Sequence, residues 1–186
     1  MNDGLNYKLL IDRLRNLPDE TEWSEFKVNN KDPKMIAADL SALANSAARL
    51  GVPHGYMAWG IDNDSHDVVG TIFNPRRSKI GNEEIENWLH HSLSANASFR
   101  FIEVPYDEAR KVVLLQIEPA RGNTVDFDRV AYTRVGTYTK RLKDYPAIEA
   151  ETWRKISPLF RRSRGRRCVS FNTGAGENLR CSASGR

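Results

Sequence analysis

The sequence lacks most features of membrane, secreted and nucleotide-binding proteins. No apolar run approaches the roughly 18 residues that a transmembrane helix needs, and the opening MNDGLNYKLL has no charged-then-apolar signal pattern. Walker A, GxGxxG and GxSxG motifs are absent. We therefore expect a cytoplasmic protein with no membrane partner, no phosphate-binding loop and no serine-hydrolase nucleophile.

Cysteine is nearly absent as well. The chain has two cysteines, Cys168 and Cys181, and neither belongs to a CxxC pair or a Cys/His cluster. A structural zinc site is therefore not expected. In a cytoplasmic chain the expected state of both is the free thiol.

Positive charge is concentrated at the C-terminal end. The chain carries 28 Lys and Arg against 24 Asp and Glu, and residues 161–186 hold seven Arg and one acid. Residues 1–160 therefore keep 21 basic and 23 acidic side chains, a net charge of −2. Such a body offers no overall attraction for nucleic acid, so a binding site there must be a local patch.

Composition divides the chain into two parts. We predict one folded domain over residues 1–160 and a disordered basic tail over 161–186. The tail is rich in Arg, Ser and Gly and has too few apolar residues to offset the entropy of an ordered chain.

Hydrophobic periodicity predicts an α+β domain with a mixed, largely antiparallel sheet and packing helices. In the second helix, Asp32 is the capping residue, Pro33 the first helical residue, and Gly51 the terminator. Asn82 is the predicted cap of the third. Helices are predicted over 5–17, 33–50 and 85–93 and from 146 onward. Extended segments are predicted at ETEWSEFKV, 54–61, DVVGTI, 98–104, 111–119, 130–135 and 137–142.

Carboxylates occur in two segments that could meet at one end of a sheet. Glu20 and Glu25 belong to ETEWSEFK, and Asp62 and Asp64 follow the predicted strand HGYMAWGI. Together they could hold Mg²⁺ or Mn²⁺, which polarises a phosphodiester and activates water. Lys27 would lie on the same side of its strand as Glu25 and could contact a phosphate. The alternative is that these carboxylates bind no metal and belong to an exposed strand edge and a polar turn.

The segment YTRVGTYTKR, residues 132–141, combines cations, hydroxyls and aromatic rings. Arg134, Lys140 and Arg141 alternate with tyrosines and threonines, a composition suited to a sugar-phosphate backbone. Gly136 permits close backbone approach. The alternative is an exposed basic hairpin whose aromatic side chains pack into the core.

Asn45 is a polar residue within the apolar run ALANSAA. A buried amide needs hydrogen-bond partners. We therefore expect Asn45 to bind a neighbouring loop or a ligand.

Four segments, in order, resemble the Schlafen AlbA-like domain family. ETEWSEFK is similar to the family's E-x-x-x-x-EFK opening, and LSALANSA to its A-x-AN signature. YMAWGIDND with VVGT resembles its G-[IV]-D-D turn and VxG return, and YTRVGTYTKRL its Y-x-R-x-G-[ST] strand. These segments span about residues 18–155. One departure is VPHG, in which only Gly55 matches the family's glycine pair.

The resemblance implies a nucleic-acid-binding domain of DNA or RNA type. The leading function is then a binding module in a transcriptional regulator or a phage-defence protein. The residues expected to contact nucleic acid are Lys27, Arg134, Thr137, Lys140 and Arg141. Binding of this kind requires no cofactor.

Nuclease members of the family imply an enzyme alternative. In those members two Glu of the opening motif and an Asp of the strand-turn motif form a metal-dependent RNase site. They correspond here to Glu20, Glu25 and Asp62, with Lys27 as a catalytic cation, while Asn63 replaces the second Asp of the D-D pair. The implied enzyme is a Mg²⁺- or Mn²⁺-dependent endoribonuclease acting on structured RNA such as tRNA.

A second alternative is a protein-interaction module or a homodimer. It requires the apolar helix faces of 36–50 or 85–93 to be partly exposed, because such a face must be free to meet a partner.

Overall fold

The computed structural model describes residues 3–17 and 21–157, which form an α+β fold, as predicted. The helices are α1 Asp3–Arg15, α2 Pro33–Leu50, α3 Ile85–Ser92 and α4 Pro146–Ile156, with a 3-10 turn at Leu142–Asp144. The strands are β1 Ser24–Lys27, β2 Gly55–Trp59, β3 Lys79–Ile80, β4 Glu83–Glu84, β5 Phe99–Pro105, β6 Lys111–Ile117, β7 Asp126–Phe127, β8 Val130–Val135 and β9 Tyr138–Arg141. The predicted tail lies outside the described residues.

A four-stranded sheet in the order β1-β2-β6-β5 is the centre of the fold. β1 runs parallel to β2, and the other neighbours are antiparallel. Side chains alternate between its two faces. Phe26 and Ala58 pack towards α1 with Ile11 and Leu14, whereas Met57 packs on the α2 side. β1 is therefore an edge strand that is covered on both faces, and all four of its residues are buried.

α2 lies between this sheet and a second, three-stranded sheet of order β7-β8-β9. The Asp32 carboxylate accepts the N–H groups of Lys34 and Met35, and Gly51 ends the helix in the left-handed region at φ 72°. Both ends agree with the sequence prediction. At Gly55 an added Cβ would lie 3.1 Å from the Leu43 carbonyl oxygen, so a larger residue here would require β2 and α2 to move slightly apart.

Two local predictions were wrong. The segment DVVGTI does not form a second strand. It returns antiparallel beside the end of β2 through a single bridge, between Ile61 and Val68, and through isolated backbone hydrogen bonds such as the Val69 N–H to the Gly60 carbonyl oxygen at 2.9 Å. Gly60 precedes this bridge and Gly70 follows it, and both have a positive φ, of 97° and 80°, that regular strand backbone does not adopt. Asn82 is not a helix cap, because it lies in the turn between β3 and β4, and α3 begins at Ile85.

The described residues include no helix that is long and apolar enough to cross a membrane.

Candidate functional site

Four buried side chains and the half-buried Thr139 form a closed ring between β1, α2 and the β8–β9 hairpin. Lys27 Nζ lies 2.8 Å from Glu25 Oε1 and 3.0 Å from Asp39 Oδ2. Arg134 Nη2 lies 2.5 Å from Glu25 Oε2, and its Nη1 donates to Thr139 Oγ1 at 3.2 Å. The Thr139 hydroxyl donates to Asp39 Oδ1 at 2.6 Å and completes the circuit. We call these five residues the ion-pair ring.

The ion-pair ring has no net charge and is largely shielded from water. It contains two carboxylates and two cations, and Arg134 is only 1% exposed. Burial lowers the pKa of Lys27, but the carboxylates of Asp39 and Glu25 more than offset this and leave that pKa above its ordinary value. Lys27 is therefore a charged, structural cation at neutral pH.

Local backbone geometry brings the five residues together. Glu25 and Lys27 alternate on β1 and so share the face that looks towards α2. Arg134 and Thr139 are direct partners in the β8–β9 register. The Ser46 hydroxyl on α2 accepts the backbone N–H of Arg134 at 3.0 Å. The register of β8 and β9 thus places both hairpin residues against α2.

Sequence reasoning missed Asp39, although a signal was present. Asp39 lies three residues after Ile36 and four before Leu43, which places it on the buried side of α2. A carboxylate on an apolar helical face requires a buried cation or donor. The partners, Lys27 and Thr139, come from segments that the helix pattern alone does not identify.

Glu25 does not fit a metal ligand in this arrangement. Its two carboxylate oxygens face Lys27 and Arg134, so a divalent ion would have to displace these cations or lie beside them against Coulomb repulsion. Across 3–17 and 21–157, no three His, Cys, Asp or Glu side chains form a group that could hold a metal ion. Glu20 lies outside the described residues, so the three-carboxylate site stays a prediction.

Asp62 lies in the turn after β2 and organises that turn with its own side chain. Its Oδ1 accepts the backbone N–H groups of Ser65 and Asp64 at 2.9 and 3.0 Å and the Ser65 hydroxyl at 3.2 Å. Because these donors favour the carboxylate, they hold the pKa of Asp62 below its usual range. The geometry of Asp62 is that of an Asx turn.

The turn containing Asp62 folds towards the α1 side of the sheet. His66 packs edge-on against the Phe26 ring at 5.0 Å between centroids, and its Nδ1 lies 3.2 Å from the Arg15 carbonyl oxygen at the end of α1. The Glu25 carboxylate faces the opposite side, towards α2. This arrangement favours separate structural roles for Glu25 and Asp62.

The remaining predicted contact residues lie in the turn of the β8–β9 hairpin and along β9. Thr137, Lys140 and Arg141 are all exposed, and Tyr138 between them is 67% exposed. Lys140 Nζ lies 5.4 Å from the centroid of the Tyr138 ring. We call Thr137, Tyr138, Lys140 and Arg141 the hairpin patch.

Arg134 differs from the other predicted contacts. A phosphate contact requires an accessible guanidinium, whereas Arg134 is buried against Glu25. Lys27 is likewise 7% exposed and bound to two carboxylates. The structure thus divides the predicted contacts into two buried cations and three exposed residues, Thr137, Lys140 and Arg141.

Asn45 binds protein backbone, one of the two roles expected for it. Its amide nitrogen donates to the carbonyl oxygens of Val125 and Tyr132, both at 2.8 Å, and its Oδ1 accepts the Val125 N–H at 2.8 Å. The residue is fully buried. Asn45 therefore holds α2 to the second sheet beside the ion-pair ring.

The fold and the site together define a small α+β domain that presents a basic hairpin held by buried ion pairs. Residues 20–143 match the protein-family model described as Schlafen, AlbA_2. The chain belongs to this family, as the sequence motifs indicated.

One solved structure similar to this chain is the DIP2311 protein from Corynebacterium diphtheriae, with 13% sequence identity and a TM-score of 0.48. The similarity covers 90% of this chain and 32% of that chain, so this chain spans about a third of its length. No curated protein matches the sequence.

Proposed function

We propose that this domain binds nucleic acid through the hairpin patch. The observation that carries the proposal is the exposure of Lys140 and Arg141 beside Tyr138, on a hairpin whose other side is fixed by the ion-pair ring. Residues 137–143 contain three cations and no acid, which gives a local positive patch on a body of net charge −2. Such a patch supplies phosphate contacts without overall positive charge.

A hairpin with a fixed backbone favours binding because its residues lose little conformational entropy when nucleic acid binds. Arg134 and Thr139 are held by Glu25 and Asp39 from two other elements. Lys140 and Arg141 follow Thr139 directly on β9. Their backbone positions are therefore set in advance, which lowers the entropic cost of binding.

The proposed binding requires no metal, because lysine and arginine contact phosphates directly. The ribonuclease alternative has less support, since Glu25 is neutralised by Lys27 and Arg134. The protein-interaction or homodimer alternative has less support, because most of the apolar side chains of 36–50 and 85–93 pack within this chain; Ile36, Leu40, Leu43, Ile85 and Leu89 are each at most 1% exposed, whereas Leu50 is 41% exposed. A binding module of this kind would serve a transcriptional regulator or a defence protein.

The test measures binding and cleavage together. Labelled tRNA, single-stranded RNA and duplex DNA are incubated with the full chain, with Mn²⁺ or with EDTA. We expect binding in EDTA that weakens in the double variant Lys140→Ala/Arg141→Ala. The matched control is Arg76→Ala/Arg77→Ala, which removes the same charge from another exposed pair.

Equal affinity of the two double variants would contradict the proposal. Cleavage that requires Mn²⁺ and disappears in Glu25→Gln, with the fold retained, would establish the ribonuclease alternative instead.

A further inference from the structure

Tyr138 is exposed in a way that distinguishes it from other tyrosines of the domain. It is 67% exposed, whereas Tyr56 is 8% exposed and packs against Trp23, and the Tyr106 hydroxyl donates to Asp12 at 2.6 Å. The alternative in which the hairpin aromatics pack into the core therefore does not hold for Tyr138. An aromatic ring left in water on a structured hairpin is available to a ligand.

The Tyr138 ring lies in a defined position next to a cation. Tyr138 pairs in register with Val135 across the turn Gly136-Thr137, and Gly136 has a φ of 59°, as a tight turn requires. Tyr138 and Lys140 share one face of β9 because side chains alternate along a strand. The Lys140 ammonium lies 5.4 Å from the ring centroid.

The neighbouring residue holds this face in place. Thr139 lies between Tyr138 and Lys140 in sequence, and its hydroxyl is bound to Asp39 and Arg134 inside the protein. The outward face of β9 is thus fixed from behind. A flat ring in a fixed position, with a cation two residues away, matches a nucleobase that is followed by its phosphate.

We propose that Tyr138 and Lys140 form a stacking site for an unpaired base, so that the hairpin patch prefers single-stranded nucleic acid to duplex. This inference rests on the proposed function and names its substrate class. In a duplex the faces of the bases are covered by their neighbours and only their edges are accessible. An aromatic face can therefore be used only where bases are unpaired or splayed out.

The experiment separates base stacking from backbone contact. Fluorescence anisotropy compares three probes of equal length: a single-stranded oligonucleotide, its duplex, and an abasic strand that has phosphates but no bases. Each is titrated with the full chain and with Tyr138→Ala, Tyr138→Phe and Lys140→Ala. Circular dichroism and thermal unfolding confirm that each variant is folded, as expected for exposed positions.

We expect the single strand to bind more tightly than the duplex or the abasic strand. Tyr138→Ala should weaken binding of the single strand by about 5-fold to 150-fold, the range for loss of one base–aromatic stack. Tyr138→Phe should retain the affinity because it keeps the ring. The abasic strand should bind Tyr138→Ala and the parent equally, whereas Lys140→Ala should weaken binding of all three probes.

Equal binding of the single strand by Tyr138→Ala and the parent, while Lys140→Ala weakens it, would overturn the stacking site and leave the proposed function intact. The same loss on the abasic strand as on the normal strand would also overturn it. If the parent binds none of the probes, the proposed function fails and the stacking site fails with it.

Discussion

Two regions of the β8–β9 hairpin carry cations of the same chemical type in opposite environments. Arg134 and its register partner Thr139 face inward to the ion-pair ring, whereas Lys140 and Arg141 are exposed. The difference at Lys140 comes from the alternation of side chains on β9: the Thr139 hydroxyl reaches Asp39 of α2, whereas Lys140 lies on the opposite face beside Tyr138. A basic segment can thus combine a structural half and a binding half.

Glu25 of the EFK segment belongs to the buried region of this contrast. Read as part of a carboxylate cluster, Glu25 is a candidate metal ligand. In the structure its two carboxylate oxygens face the buried cations Lys27 and Arg134, and Lys27 is also paired with Asp39. Removing one partner of such a pair is more costly than the pair's own contribution to stability, because the other charge is left behind.

The largest expected effect is the loss of the inward arginine. Arg134→Ala leaves Glu25 without its second cation and should lower the free energy of unfolding by about 3–5 kcal/mol. The matched control is Arg141→Ala, seven residues further on and exposed, which should change it by less than about 0.5 kcal/mol. Urea denaturation monitored by tryptophan fluorescence measures both. Similar stability of the two variants would contradict the assignment of a structural role to Arg134 and of no structural role to Arg141.

Much of the fold was predictable because local signals determine it. Asp32, Pro33 and Gly51 specify the ends of α2 through capping and backbone conformation, which depend on neighbours in sequence. The predicted strand 111–119 also matches β6, Lys111–Ile117, because its near-continuous apolar run reflects burial on both faces. Signals of this kind need no knowledge of the tertiary structure.

The ion-pair ring could not be predicted because its contacts are distant in sequence. Asp39 and Thr139 are 100 residues apart, and Arg134 reaches Glu25 from the second sheet. Composition does not distinguish Arg134 from Lys140. Only the register of β8 and β9 shows that Arg134 points inward and Lys140 outward. The strand prediction for DVVGTI was wrong for a related reason, because this segment also makes contacts that are distant in sequence. The Thr71 hydroxyl, for example, donates to the Val28 carbonyl oxygen at 3.0 Å, across 43 residues.

A smaller effect is expected where one hydroxyl completes the ring. Thr139→Val keeps the shape of the side chain but leaves Asp39 and Arg134 without their shared partner, which should cost about 1–3 kcal/mol. Thr139→Ser retains the hydroxyl and should stay closer to the parent. Thermal and urea unfolding of the two variants measure the difference. A valine variant as stable as the parent, with serine destabilised, would show that the methyl packing matters and the hydroxyl does not.

The smallest effect is a change of stability at high pH. The folded-state pKa of Lys27 lies above its ordinary value of 10.5, so its charged form is favoured by folding. That contribution is fully present below pH 10.5 and is lost as pH rises through the folded pKa. The stability difference between the parent and Lys27→Met should therefore be constant from about pH 7 to 10 and should narrow above 10.5. A difference that narrows already between pH 7 and 9 would contradict the assigned direction.

The most direct test of the two-region account is lysine reactivity in the unmodified protein. The full chain is acetylated briefly with and without a single-stranded RNA, and mass spectrometry reports the modified fraction at Lys27, Lys140 and the exposed control Lys79. The account predicts that Lys27 is unreactive in both samples, that Lys140 is reactive alone and protected by RNA, and that Lys79 reacts equally in both. Reactivity of Lys27 equal to that of Lys140 in the free protein, or no protection of Lys140 by bound RNA, would contradict it.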